Sequence, residues 1–417
     1  MKILFVSPEY PFPKPSGGIA SYVRDIAQSL SRRGHEIKII SMDDTQVFGA
    51  FSHIHRDGDV EVHLLNKSYL GRLPKILENP QFRYLLKWPI PDLALLIPPL
   101  ATYIYYRQLT RNWQPHLIET HDWQACGFLI HLFNRKVPKI LRGGGHVKVI
   151  AGNNGGKWTQ QYESQHRLER WTARRSTLVV PCSRLLGDDE ITDFGIPAQK
   201  VHPAHLCVDA ESFKQEAPEM EQHAGECRVC FVGRLEYRKG VDLLLEAGHR
   251  LYASYPNVQY YFIGKDCLDM RDYLTRSHFN VDYLGKLHFI GQIPRNEIKN
   301  YLLSSDFAVF PSRYEPFGIV ALEAMACGLP VIVSSAGGWR EAVEDGVTGI
   351  IVEPGDVESL RQAIEKIILL GPERRREMGN RARRIVRERF SAEEIAGKME
   401  AVYMRVLQGR NMKEGFQ

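Results

Sequence analysis

Two glutamates, Glu315 and Glu323, stand eight positions apart in the run Pro311-Ser312-Arg313-Tyr314-Glu315-Pro316-Phe317-Gly318-Ile319-Val320-Ala321-Leu322-Glu323-Ala324-Met325-Ala326-Cys327-Gly328. An apolar strand pattern enters this run, Pro316 stands where a helix can begin, and Gly328 just before Pro330 stops it. At about 1.5 Å of rise per residue, the two backbones lie at most roughly 12 Å apart along a helix. That is wide for the paired carboxyls of a glycoside hydrolase, which stand about 5 to 9.5 Å apart. It suits one ligand with hydroxyl clusters at both ends and a diphosphate between them, because carboxylates accept hydrogen bonds from sugar hydroxyls. A capped, solvated helix is the plainer alternative.

A second constellation is Gly233-Arg234-Leu235-Glu236-Tyr237-Arg238-Lys239-Gly240, directly after an apolar strand pattern. A leaving nucleoside diphosphate gains negative charge as its bond to a sugar breaks, and cations fixed in a dry cleft stabilise that charge most in the transition state. Arg234, a planar fork, and Lys239, a compact charge, would do this without a metal. An ordinary basic loop has the same composition. Gly17 and Gly18 precede a helical pattern, where missing side chains let the backbone approach a phosphate at the helix start; turns use such pairs too. Gly337-Gly338 is a similar pair. Ile118-Glu119-Thr120-His121-Asp122-Trp123 ends an apolar run in a polar cluster, where His121 could bond a hydroxyl or support a developing positive centre through its carbonyl. Asp122 could orient that ring or accept a proton, and a structural histidine is the competing reading.

The elements that must position these residues alternate regularly. Ile3–Val6, a Pro/Gly-rich loop, a helical pattern over Ala20–Arg33 and a second apolar run Ile37–Ile40 form a β-loop-α-β unit. Strand-like runs recur at Val60–Leu65, Leu117–Thr120, Lys139–Leu141 and Leu178–Pro181. A polar connector from Leu206 to Gly225 precedes a restart at Cys227–Gly233, a helix over Val241–Ser254, and strands at Gln259–Ile263, Leu287–Ile290, Phe307–Phe310, Val331–Ser334 and Ile350–Val352. The pattern predicts an α/β chain of two Rossmann-like, doubly wound domains facing across a central cleft: 1–208, 209–390, and a final helical stretch 391–417 that packs on the second domain or crosses back to the first.

Length and composition agree. The chain has 417 residues, 44% hydrophobic and 25% charged, so two globular domains are expected and disorder is not. A net charge of +5 is a mild excess that suits an anionic substrate or membrane surface and does not demand nucleic acid. Seven scattered cysteines fit a reducing cytoplasm, and Cys227-Arg228-Val229-Cys230 has no second Cys or His pair to complete a zinc site. The N-terminal run is too short for a signal peptide. Leu93–Tyr106, about 14 residues broken by Pro98-Pro99, falls short of a membrane span.

Taken together, these segments resemble the retaining glycosyltransferases of family 4, which have the GT-B fold. The matching pieces are Ser7-Pro8-Glu9-Tyr10-Pro11 through Gly17-Gly18-Ile19, Arg33-Gly34-His35-Glu36-Ile37, His121-Asp122-Trp123, Gly233-Arg234 with Lys239-Gly240, Glu315 to Glu323, and Gly337-Gly338-Trp339-Arg340-Glu341 through Gly346-Val347-Thr348-Gly349. The resemblance implies a nucleotide-sugar donor, with UDP favoured. Arg234 and Lys239 would clamp the diphosphate behind Gly233, and Glu323 would hold the ribose. Glu315 with the backbone around Phe317, Gly318 and Ile319 would hold the donor sugar. Gly17 and Gly18 would approach the phosphate, and His121 would be the active-site histidine. It further implies transfer with retained anomeric configuration, no metal or other cofactor, and a final helix that crosses back to the first domain.

The resemblance also assigns the acceptor to the first domain, with Asp122, Trp123, His146 and Trp158 as its candidate contacts. The Gly-rich stretch Gly143–Trp158 would form a mobile acceptor loop or simply a surface loop. Lys75, Arg83, Lys87 and Trp88, ahead of the apolar run, could touch a membrane carrying a lipid-linked acceptor; a buried core is the alternative. The eight arginines of Arg374–Arg389 read as a solvated helix face, with a phosphate-rich contact as the alternative. The glycogen and starch synthases share His-Asp-Trp, but their Lys-x-Gly-Gly loop is here one residue longer, Lys14-Pro15-Ser16-Gly17-Gly18. The expected role is therefore glycan, glycolipid or exopolysaccharide synthesis by a cytoplasmic or peripheral membrane enzyme. A sugar-nucleotide epimerase and a soluble-acceptor transferase of the sucrose or glycogen synthase type are the alternatives.

Overall fold

A computed structural model of the chain describes residues 1–12, 17–43, 51–66, 93–213 and 225–409. Residues 14–16, the basic and aromatic positions Lys75, Arg83, Lys87 and Trp88, and the last eight positions of the C-terminal stretch lie outside the described residues. The chain divides into two compact units: 1–152 with 156–206 and 392–417, and 207–391 with 153–155.

In the first unit, β1 (Lys2–Ser7), β2 (Glu36–Asp43), β3 (Ser52–Asp57), β4 (Val60–Asn66), β5 (Leu117–His121), β6 (Lys139–Gly143) and β7 (Leu178–Pro181) form one sheet in the order β3-β4-β2-β1-β5-β6-β7. Every pairing is parallel except β3 with β4. β1, β5, β6 and β7 are buried almost throughout because a parallel sheet covers both faces, and β5 and β6 bury Glu119, His121 and Arg142 among their apolar residues. β3 has no such run. Its sequence, Ser-His-Ile-His-Arg-Asp, lies half exposed on the edge and turns into β4 through Gly58, whose φ is +61°.

The apolar stretch that begins at Leu93 packs into this unit. Helix Ile97–Leu109 carries prolines in its first turn, where no amide bond is lost, and buries Ala101, Tyr105 and Tyr106 against Leu4, Val6, Ile40 and Ile118. Helix α1 (Gly18–Arg32) packs against the C-terminal helix Ala392–Leu407. Arg33 donates to Glu393 at 2.8 Å and to Glu400 at 2.8 Å, His35 meets Glu400 at 3.0 Å, and Tyr403 donates to the buried Glu119 at 2.6 Å.

In the second unit, β8 (Cys227–Val232), β9 (Val258–Ile263), β10 (Leu287–Gly291), β11 (Phe307–Phe310), β12 (Val331–Ser334) and β13 (Gly349–Val352) form a parallel sheet in the order β10-β9-β8-β11-β12-β13. Helices Val241–Tyr252 and Val357–Leu369 pack on it through Leu244, Leu245, Leu360 and Ile364, all buried. Cys227 and Cys230 are buried, unpaired strand residues. On the arginine-rich helix Gly371–Ile385, Arg375 bonds Asp306 at 2.8 Å and Arg383 caps the carbonyls of Ala326 and Cys327, while Arg374, Arg376, Arg381 and Arg384 face solvent. The segments bounding this unit lie side by side, with the Val208 amide donating to the Phe390 carbonyl at 3.1 Å. No described helix is long and apolar enough to cross a membrane.

Candidate functional site

In the second unit the candidate site grows from two neighbouring strands. β8 and β11 pair in parallel, so the loops leaving their carboxyl ends are adjacent. Gly240 lets them come closer than a side chain would allow, and Gly264, which follows β9, does the same against the loop after β8. At Gly240, φ is +69° and a Cβ would stand 2.2 Å from the Pro311 carbonyl oxygen. At Gly264, φ is +146° and a Cβ would stand 2.0 Å from the oxygen of Gly233. The basic loop after β8 is thereby pressed against the Pro311–Glu315 segment after β11.

Lys239 donates to Glu315 Oε2, and Arg238 Nη1 lies 3.5 Å from the same oxygen. Arg238 also donates to the Tyr314 carbonyl at 2.9 Å and to Glu236 Oε1 at 2.7 Å. Arg234 is more than half exposed and reaches Glu236 at 3.2 Å. Burial pushes the Glu315 carboxyl up, but the charges of Lys239 and Arg238, with Arg234 beyond them, outweigh it and hold the pKa below its ordinary value. Burial holds the Lys239 ammonium below its usual range despite the pull of Glu315. Three cations thus converge on two carboxylates in a largely dry loop, where a phosphate can exchange for a carboxylate as their partner.

The backbone of Glu315 is fixed by the glycine pair expected from sequence. Its amide donates to the Ala336 carbonyl at 3.0 Å, its carbonyl accepts from Gly338 at 3.1 Å, and a Cβ on Gly337 would stand 2.7 Å from that carbonyl oxygen. Gly318 has φ +83° and lies beneath Trp339, whose indole Nε1 would be 2.3 Å from a Cβ there. It opens helix Ile319–Ala326 without a side-chain cap. Phe317 and Ile319 are buried beside it. One helix face further on, Glu323 accepts from Arg295 Nε at 2.8 Å.

The first unit holds the other candidates. His121 ends β5, is buried, and has no hydrogen-bond partner on either ring nitrogen among the described residues; burial first, and the Arg142 charge second, lower its pKa to about 3. Asp122 does not orient that ring. Its carboxylate accepts from the amides of Trp123 at 2.8 Å, Gly144 at 3.0 Å and Gly145 at 3.1 Å, and burial outweighs these bonds to raise its pKa to about 6. Trp123 is half-buried. Gly17 and Gly18 are exposed at the start of α1, where the carboxylate of Glu9 accepts from the Gly17 amide at 3.3 Å. The stretch expected as a loop carries a short helix, Val147–Gly152. His146 is buried at its start, whereas Trp158 is exposed and bonds Glu163 at 3.2 Å.

Sequence reasoning missed Arg238, Glu236, Arg295 and Trp339 as parts of the site. Arg238 and Glu236 lay inside a segment already singled out, and their i, i+2 spacing in a tight turn was the available signal. Arg295 sits 28 positions from its partner and had none.

Residues 16–212 match the family model described as Glycosyltransferase Family 4, and residues 213–385 match that of Glycosyl transferases group 1. A glycogen synthase of Mycobacterium tuberculosis is 28% identical over 424 residues, covering 99% of this chain and 97% of its own. The sucrose-phosphate synthase of Thermosynechococcus elongatus superposes with a TM-score of 0.78 at 22% identity, over 98% of this chain and 100% of its own. HepE of Anabaena, solved with UDP-glucose, superposes with a TM-score of 0.68 at 21% identity, over 97% and 99%. These relatives favour transfer to an acceptor over epimerisation. With consecutive models spanning both parallel-sheet units, the chain belongs to the family 4 glycosyltransferases of GT-B fold.

Proposed function

We propose that this glycosyltransferase takes a UDP-sugar as donor and transfers the sugar with retention to a hydroxyl of a glycan or lipid-linked acceptor, without a metal at the diphosphate. The observation that carries the reading is the cation set Arg234, Arg238 and Lys239 gathered on Glu236 and Glu315, with Glu323 held by Arg295 one helix face away. A donor diphosphate would draw Arg234 and Lys239 to itself. Their charge would then grow in value as the bond from sugar C1 to the phosphate oxygen breaks. Glu315, freed of Lys239, would accept from sugar hydroxyls, and Glu323 from the ribose. The acceptor oxygen would attack C1 on the face the diphosphate leaves, passing its proton to the departing phosphate oxygen. His121, neutral in its dry setting, would supply its backbone carbonyl or a ring nitrogen to the sugar.

The likeness to a glycogen synthase along nearly the whole chain favours a second reading, a soluble sugar or glucan acceptor. A thermal-shift panel of nucleotide sugars identifies the donor, because a ligand of the folded state raises the melting temperature. Product NMR then gives the anomeric configuration, and flotation with anionic vesicles separates membrane-borne from soluble acceptors. Inverted product, or turnover that requires added Mg²⁺ or Mn²⁺, would overturn the mechanism.

A further inference from the structure

One buried cluster in the first unit has no part in the donor chemistry. Helix Gln160–Arg175 presents His166 and Glu169, three positions apart and so on one face. His146 follows Gly145, whose φ is +121°, and the next amide, Val147, donates to Glu169 Oε2 at 3.0 Å, which brings His146 over that face. One ligand atom from each of His146, His166 and Glu169 lies within 4.8 Å of the others, and all three residues are buried. Both ring nitrogens of His146 and Nδ1 of His166 have no hydrogen-bond partner among the described residues. Orphaned buried nitrogens are costly, and in folded proteins they are explained by a bound water or ion.

We propose that His146, His166 and Glu169 bind a borderline divalent metal ion of the zinc class, which pins the segment after β6 to helix Gln160–Arg175. Two neutral imidazoles and one carboxylate are a donor set that selects such an ion over Mg²⁺ or Ca²⁺, which prefer all-oxygen shells. The surroundings resemble an outer shell. Gln165 Nε2 donates to Glu169 Oε1 at 2.9 Å, fixing the carboxylate, and Asp193 Oδ2 stands 3.5 Å from His146 Nε2. The neighbourhood is also rich in carboxyls: Asp122 and Glu190 are fully buried near Glu169, with the Arg142 guanidinium as the buried cation beside them. A divalent ion relieves that excess and the orphaned nitrogens together. Its link closes the 20-position span from His146 to His166, which contains the candidate acceptor segment. This proposal departs from the expectation, carried by the family resemblance, of no metal or other cofactor.

The rival account is a water, with the two rings serving as packing against Phe194, whose centroid lies 4.7 Å from His146 and 5.7 Å from His166. The full chain is stripped with a chelator, then titrated with Zn²⁺ and separately with Co²⁺. The proposal expects about one equivalent bound, a rise in melting temperature, and for Co²⁺ the visible bands of a site with nitrogen ligands. Gln165→Ala, which touches no proposed ligand nitrogen, should weaken metal binding by about 10- to 100-fold. His166→Gln should abolish the Co²⁺ bands; if it does not fold, the wild-type stoichiometry and Gln165→Ala still decide. Less than about a tenth of an equivalent bound by the wild type, or bands unchanged in a folded His166→Gln, would overturn it.

Discussion

Lys239 donates to the same oxygen of Glu315 that Arg238 approaches to 3.5 Å, so one carboxylate holds a buried and a largely buried cation in adjacent loops. Lys239→Ala removes the compact charge and leaves Glu315 to Arg238 alone. The expected outcome is a fall in kcat/KM by about a hundred- to a thousandfold, with a weaker thermal shift by the donor. Lys239→Arg should not rescue it, since a planar fork cannot occupy the place of an ammonium group. Initial rates with saturating acceptor check this, and wild-type rates in Lys239→Ala would remove the clamp assignment.

Arg295 steadies Glu323 through one bond from Nε, at 2.8 Å. Arg295→Gln should raise the donor KM by about tenfold, the size of a charge-assisted hydrogen bond lost at a partly exposed site, and leave kcat nearly unchanged. A donor lacking a ribose hydroxyl should lose less in this variant than in the wild type. If both donors lose equally, Arg295 does not act through that ribose hydroxyl.

Gly318→Ala places a methyl group where Trp339 already stands and forces a side chain onto φ +83°. The cost should be about 1–3 kcal/mol of stability, measured by urea unfolding, with a raised donor KM because the start of the helix moves. Gly17→Ala, where φ is −76° and the nearest group is the Glu9 carboxylate at 3.2 Å, should cost far less.

His121 gives a pH signature. Its pKa falls from 6.5 to about 3 on folding, so the neutral ring contributes stability that is present above pH 6.5 and is lost as pH drops toward 3. Unfolding free energy should decline there by about 1.4 kcal/mol per pH unit on account of this group, and His121→Gln should flatten that limb. For the same reason His121 should impose no titration near pH 6.5 on kcat/KM. A limb at that pH that vanishes in His121→Gln would contradict the burial argument.

How much of this was legible depended on periodicity and on distance along the chain. The runs Phe307–Phe310 and Val331–Ser334 became strands with the expected bounds, because a strand buried on both faces must be apolar throughout. β3 escaped because a half-exposed edge strand needs no apolar run, although the Asp57-Gly58 pair before β4 was a hairpin signal. Glu315 and Glu323 stood out by their spacing around a helix start. Their partners did not: which of Arg234 and Arg238 turns inward is decided by the turn Tyr237–Lys239 and its Gly240 stop, and Arg295 reaches Glu323 only through the fold. Asp122 was read as a partner of His121 because the two are adjacent, yet successive residues at a strand end point opposite ways, and its carboxylate went to the glycine amides instead.

Tyr403 completes a hydrogen bond with Glu119 across 284 positions of chain. On a ribosome adding about 5–20 residues per second, that strand emerges some fifteen seconds to a minute before its partner exists. Until then the earliest-made half must hold the Glu119 carboxyl without its Tyr403 partner and a bare helix surface at α1. A nascent chain stalled anywhere before Ala392 is therefore an expected chaperone client, even when the stall comes so late that nearly all of the second unit has been made.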